Sequence, residues 1–206
     1  AGTSGPNSNV YVIFQGSGAG TTAHVVAGQN GPLFFARSED GGVTWLAKRT
    51  IPEIDSTHYS GFGGDSYSIV ARGDTVAISI ADTYTDVILL KSVDKGDTWV
   101  KTIIQKHPIP FYATCNCGTF YIPNAADTTV DTVYSNAGDS KVLIDNAGKC
   151  HVWFSRFDYH DGDSTDTFYN PHDGSDDLFY WNEDMDPDTG NGGARSYYSI
   201  ASAQDF

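Results

Sequence analysis

Apolar and polar residues along this chain recur in short runs with the period of extended backbone, each bounded by turn residues. Between residues 66 and 105 four such runs follow one another, at 66–72, 75–81, 86–92 and 98–105. Ile69-Val70-Ala71-Arg72-Gly73-Asp74-Thr75-Val76-Ala77-Ile78 reads as strand, tight turn, strand, and the stretch from Leu143 to Trp153 has the same shape. Gly73 and Gly148 hold matching turn positions, 75 residues apart. Val10 to Phe14 looks like the second strand of such a hairpin with its first strand missing. No stretch carries the i, i+3, i+4 apolar stripe of an amphipathic helix.

Two further runs, Leu33-Phe34-Phe35-Ala36 and Val87-Ile88-Leu89-Leu90, each lead into the same octapeptide pattern. SEDGGVTW spans Ser38 to Trp45 and SVDKGDTW spans Ser92 to Trp99, 54 residues apart, sharing S-x-D-x-G-x-T-W. An extended stretch follows each, so the pattern predicts a hairpin turn between two strands. Asp40 and Asp94 can accept backbone N–H groups inside the turn. Gly42 and Gly96 can take the positive φ it needs. Thr44 and Thr98 open the next strand and can bond locally. Trp45 and Trp99 offer large apolar surfaces to pin the hairpin to its sheet. These residues, with Ser38 and Ser92, are expected to build the fold and not to run a reaction. Three units result, at about 9–51, 66–105 and 141–201, with an insertion at 107–140. The third has strands at 141–145, 150–157, 177–182 and 194–201. Repeated four-stranded antiparallel units are the signature of propeller blades.

The two octapeptides resemble the Asp-box, or BNR repeat, of sialidases and other secreted β-propellers. The resemblance implies an all-β propeller with the box in the turn between the third and fourth strands of a blade, on the face away from the ligand. A third copy, expected after Trp181-Asn182, keeps an aspartate at Asp184 but lacks the Gly and Trp. A sialidase also needs three arginines for the substrate carboxylate, a carboxylic acid/base and a Tyr–Glu pair. This chain has five arginines, Arg37, Arg49, Arg72, Arg156 and Arg195, none in the family's first arginine motif, and two glutamates before residue 180, Glu39 and Glu53. A propeller ring takes about four to eight blades. About three are present, so the chain is expected to be a piece of a longer one or to complete a ring with other subunits.

Composition sharpens this picture. Of 206 residues, 26 are acidic and 12 are lysine or arginine, for a net charge of −14. Such a surface repels nucleic-acid backbones and anionic membranes. No apolar run reaches the ~18–20 residues of a bilayer span. Residues 158–206 hold 11 Asp and 1 Glu against Arg195 alone, a net of −11. Within the acidic stretch 158–191, Asp184-x-Asp186-x-Asp188 with Gly190 resembles a calcium loop, because alternate carboxylates can converge on one hard cation. Asp161 and Asp163 belong to a second cluster. Ca²⁺ is therefore the candidate cofactor, weighed against a merely solvated acidic loop. Cys115, Cys117 and Cys150 leave at least one thiol unpaired, and a bridge from Cys150 to either of the others suits an oxidising compartment.

Loops on a propeller's ligand face carry function. His58, Tyr59 and Phe62 in the 55–65 loop, and Tyr112 and Tyr121 in the insertion, could stack on sugar rings; the alternative is that they cover a blade's edge. The expected function is a non-catalytic, secreted or cell-surface propeller module recognising a glycan or a protein. The rivals are a sialidase-type glycoside hydrolase with most of its catalytic residues outside this stretch, and a structural repeat of a surface assembly.

Overall fold

The computed structural model describes residues 8–16, 25–83, 85–107, 132–160, 170–171, 177–187 and 197–202. They form antiparallel β-sheets joined by turns, with one 3₁₀ turn at Pro52–Ile54 and no α-helix among the described residues. No helix among them is long and apolar enough to cross a membrane.

Sheet I contains β1 (Val10–Gln15), β4 (Leu33–Ser38) and the two-residue β5 (Arg49–Thr50), with β1 at an edge. A small hairpin, β2 (Val25–Val26) and β3 (Gln29–Asn30), lies between β1 and β4 in sequence. Sheet II contains β6 (Tyr67–Arg72), β7 (Thr75–Ala81), β8 (Val87–Ser92) and β9 (Val100–Gln105), in chain order. Sheet III contains β10 (Thr132–Ile144), β11 (Cys150–His160), β13 (Asp177–Asn182) and β14 (Tyr198–Ser202), with β12 (Asn170–Pro171) pairing with the end of β11.

The three sheets stack face to face, with sheet II in the middle. Alternate side chains of a strand point to opposite faces. Val76, Ile78, Ile80, Ile88 and Leu90 of sheet II pack with Ile13, Leu33 and Phe35 of sheet I. Ala77, Ala81, Val87 and Leu89 pack with Cys150, Val152, Phe154, Phe179 and Trp181 of sheet III. Both faces of β7 and β8 are thus dry, which is why those strands read as nearly unbroken apolar runs.

The octapeptides form closely matching turns. Ser38 Oγ donates to Asp40 Oδ1 at 2.7 Å and accepts the Gly42 N–H at 2.8 Å. Thr44 donates its N–H at 2.8 Å and its hydroxyl at 2.6 Å to the two Asp40 oxygens. Ser92, Asp94, Gly96 and Thr98 repeat these bonds at 2.6–2.9 Å. Bonds from Thr44 first, then Ser38, hold the Asp40 carboxyl down to about 2, and those from Thr98 and Ser92 lower Asp94 likewise. The tryptophans differ. Trp99 is 8% exposed and meets the Phe35 ring edge-on at 5.2 Å, whereas Trp45 is 46% exposed. Trp45 donates its indole N–H to the Gly42 carbonyl of its own turn at 3.2 Å and stays half exposed, so it pins no hairpin against a neighbouring sheet among the described residues.

Three other expectations change. The insertion ends before 132, since residues 132–140 belong to β10, which bulges between Asn136 and Ser140. Leu46 to Ile51 forms a ladder over only two residues. Pro52 cannot donate to a ladder, and Ile51, Ile54, Tyr59 and Phe62 instead fold under sheet I and join the core. In sheet III, Trp181 pairs with Val152 as Leu90 pairs with Ile78, both towards the preceding sheet. That register sets Met185, not Asp184, level with Asp94. Met185 packs on the core and Asp184 turns outward to Lys149.

Candidate functional site

The stacked sheets have two ends. At the octapeptide end, basic side chains cross from each sheet to the next. Arg37 of sheet I donates to the Lys95 carbonyl at 2.8 Å and pairs with Asp97 at 3.2 Å. Lys91 of sheet II donates to the Gly148 carbonyl at 2.8 Å and pairs with Glu183 at 2.7 Å. Arg72 donates to Asn146 Oδ1 at 2.5 Å. A cleft of about 50 Å³ between Phe35, Arg37, Arg49 and Asp97 has space for water and not for a sugar. This end is occupied in joining the sheets.

The opposite end gathers polar and aromatic groups from sheets II and III and from the segment that follows β5. The turn between β7 and β8 carries Asp82 and Asp86. Asp82 accepts the Gly63 N–H at 2.7 Å and the Thr83 N–H at 2.9 Å, and burial raises its carboxyl above the usual range. Asp86 accepts the Tyr59 hydroxyl at 2.7 Å and the His107 N–H at 2.8 Å. Burial, then the Asp86 charge, pushes the Tyr59 phenol up. Lys101 Nζ sits 5.3 Å above the Tyr59 ring, and desolvation lowers its pKa. From β10, Asn136 donates to the Thr85 carbonyl at 2.9 Å and Tyr134 to the Lys106 carbonyl at 3.1 Å. Arg156 of β11 stacks 5.3 Å from Tyr134 and 4.8 Å from Phe179.

The structure redistributes the residues expected to bind ligand. Tyr59 and Phe62 are core residues, their rings 5.4 Å apart, so neither is displayed for stacking. The reason is local: sheet I has a short β5, and these rings fill the space beneath it. His58 remains at the surface, 3.0 Å from Asp55, whose carboxyl Thr57 and then His58 hold down to about 2. Tyr112, Tyr121, Asp161, Asp163 and Asp188 lie outside the described residues. Asp184 is engaged by the Lys149 ammonium, and Asp186 stands exposed after it. Among the described residues, no three His, Cys, Asp or Glu side chains converge as a metal site. Cys150 carries a free thiol, fully buried, which desolvation pushes up to about 12.

Sequence reasoning missed Asp82, Asp86, Asn136 and Tyr134. A signal existed: Asp82 and Asp86 bracket the only polar break between two apolar strands, where a carboxylate has to be either solvated or bonded. Asn136 and Tyr134 gave none, because their strand read as loop.

No protein-family model matches the chain, and no curated protein matches it. Among solved structures, the chain is similar to a polysaccharide lyase of family PL25, an ulvan lyase bound to -[GlcA(1-4)Rha3S]-. The TM-score is 0.50 at 14% sequence identity, over 85% of this chain and 36% of that one. At that identity the likeness is one of fold. The chain has an all-β, antiparallel architecture of a kind a carbohydrate-active protein uses, and it spans about a third of that protein's length.

Proposed function

We propose that this chain is a non-catalytic glycan-recognition module of Asp-box β-propeller type, acting outside the cell, with its ligand face at the end opposite the octapeptides. The observation that carries the reading is the repeat of one corner. Two octapeptides, 54 residues apart, make the same bonds at the same end of successive stacked sheets. Blades arranged around an axis repeat in this way.

The polar end supplies hydroxyl, amide and carboxylate partners beside aromatic rings, a composition suited to sugar hydroxyls and ring faces. The likeness to a polysaccharide lyase supports a carbohydrate-related function. Asp86 is already bonded by Tyr59 and His107, and Asp82 by two backbone N–H groups. The described arginines spread over both ends: Arg37, Arg49 and Arg72 join sheets, and Arg156 stacks on rings. A net charge of −14 favours neutral glycans over sulfated or uronic ones, which the same surface repels.

Titration calorimetry of the chain against a panel of neutral, uronic and sulfated polysaccharides tests this. Binding to a neutral glycan, weakened at least tenfold by Tyr134→Ala, supports the reading. Cleavage of any panel member, or binding unaffected by changes at this end, overturns it.

A further inference from the structure

The polar end buries hydrogen-bonding atoms that the fold does not use. Asn136 of β10 is fully buried. Its amide donates both hydrogens into the turn between β7 and β8, to the Asp82 carbonyl at 3.3 Å and the Thr85 carbonyl at 2.9 Å. Those two bonds fix which way the amide faces, because a backbone carbonyl accepts and cannot donate. Oδ1 is thereby turned from the two carbonyls, and among the described residues nothing donates to it. Arg156 of β11 likewise has Nε and Nη1 buried and unused among the described residues. Buried polar atoms in folded proteins nearly always bond to something, so an acceptor and two donors left over call for a ligand atom that answers both.

The ladder brings the two residues together. Asn136 and Arg156 are opposite partners in the β10–β11 pairing. Such partners leave the sheet on one face, with Cβ atoms about 4.5–5.5 Å apart. That face looks towards sheet II, since Val152 and Phe154 share the parity of Arg156 and pack with Leu89. β10 bulges directly after Asn136, a device that re-aims side chains at the end of a regular ladder. The Arg156 guanidinium is held between rings on the two flanking strands, 5.3 Å from Tyr134 of β10 and 4.8 Å from Phe179 of β13. Its Nη2 stands 3.7 Å from Asp158, a loose pairing at the more exposed edge. The remaining N–H groups are therefore positioned by packing and not by a carboxylate of the fold.

We propose that Asn136 and Arg156 form a subsite for a sugar hydroxyl, or for two on adjacent ring carbons, and that this pair selects neutral sugars over uronic and sulfated ones. The inference rests on the glycan reading above and names the residues that carry its specificity. A hydroxyl both accepts and donates. It takes an N–H from Arg156 and gives its proton to Asn136 Oδ1. A carboxylate or a sulfate ester only accepts. Either would satisfy Arg156 but bring no proton to Oδ1, and Asp158 beside the same guanidinium would repel it. An ammonium donates to Oδ1 but is repelled by Arg156. A buried acceptor left without its donor is expensive, and sites built this way discriminate strongly against ligands that lack the hydroxyl.

Nuclear magnetic resonance titration of the 206-residue chain tests this, read on the Arg156 Nε–H cross-peak. The probes are the methyl glycosides of glucose, galactose and mannose, with methyl glucuronide as the acidic counterpart. At least one neutral glycoside should move the peak to saturation, and methyl glucuronide should bind at least about tenfold more weakly. That preference should persist in about 0.5 M salt, which screens the long-range repulsion of the acidic chain and leaves the local mismatch. Arg156→Lys keeps the cation and removes Nε, and it should weaken the neutral glycoside at least about tenfold with the far-ultraviolet circular dichroism unchanged. The monodeoxy analogue lacking the bound hydroxyl should lose affinity for wild type and lose nothing further for Arg156→Lys, which a merely structural role of Arg156 would not produce. No shift with any neutral glycoside, or equal binding of methyl glucuronide in salt, overturns the subsite. The calorimetric panel above reads the glycan reading separately, so a neutral polysaccharide that binds without moving this peak sinks the subsite alone.

Discussion

Trp45 and Trp99 end the same octapeptide and sit in opposite environments, so they should respond differently to one substitution. Trp99→Ala removes a ring buried against Phe35 and should cost about 3–5 kcal/mol, as large core truncations do. Trp45→Ala should change stability by less than about 1 kcal/mol, since nearly half of the side chain is already in water. Urea unfolding of both variants measures the difference, and equal losses would contradict the assigned environments. Asp40 carries a second prediction. Its folded carboxyl is lowered to about 2, so its stabilisation is full above the unfolded value of about 3.9 and fades as pH falls through the folded one. The stability gap between wild type and Asp40→Asn, followed by urea melts, should be constant from pH 6 to pH 5 and close between about pH 4 and pH 2. A gap that widens on acidification would mean the carboxylate is not the bonded form. The identity of these residues was plain from the pattern; which tryptophan is covered depends on what lies beyond the sheet.

At the scale of the element, the two turns are alike in backbone and unlike in surroundings. Gly42 and Gly96 have φ of 97° and 88°, so alanine strains both by about 1 kcal/mol. Gly96→Ala also drives a methyl into Phe35, which adds about 1–3 kcal/mol. Thermal melts should therefore rank Gly96→Ala well below Gly42→Ala, and the reverse order would remove the docked geometry of sheet II on sheet I. The strands of sheet II were legible because their apolar runs and Gly73 turn leave one reading. β10 was not, since Thr132 to Asp139 is polar and reads as loop. It extends because β11 offers it a long partner, with a bulge absorbing the mismatch. The 51–62 segment misled in the opposite sense. Its glycines and aromatics read as a displayed loop, but four apolar side chains had nowhere dry to go except under sheet I.

At the scale of the whole molecule, the middle sheet owes its stability to both neighbours. A piece spanning residues 66–107 would expose both apolar faces of β7 and β8, and it should fail to give a cooperative melt or should aggregate. Circular dichroism on that piece checks this, and an independently folded, soluble sheet would show the stack to be dispensable. The same stacking decides where function can sit. It commits one end to ion pairs between sheets, and the other, with Asp82, Asp86, Tyr134 and Asn136, is the end where the proposed ligand would bind.

The amino-acid pattern alone determined the strands of sheet II, the two octapeptide turns and the antiparallel, helix-poor class, because side-chain alternation and turn chemistry act over a few residues and are written there directly. Only the tertiary arrangement decided that Tyr59 and Phe62 are core, that Asp184 belongs to Lys149, and that Trp45 lies open where Trp99 is closed. Those outcomes depend on contacts between residues tens of positions apart, which leave no local trace in the chain.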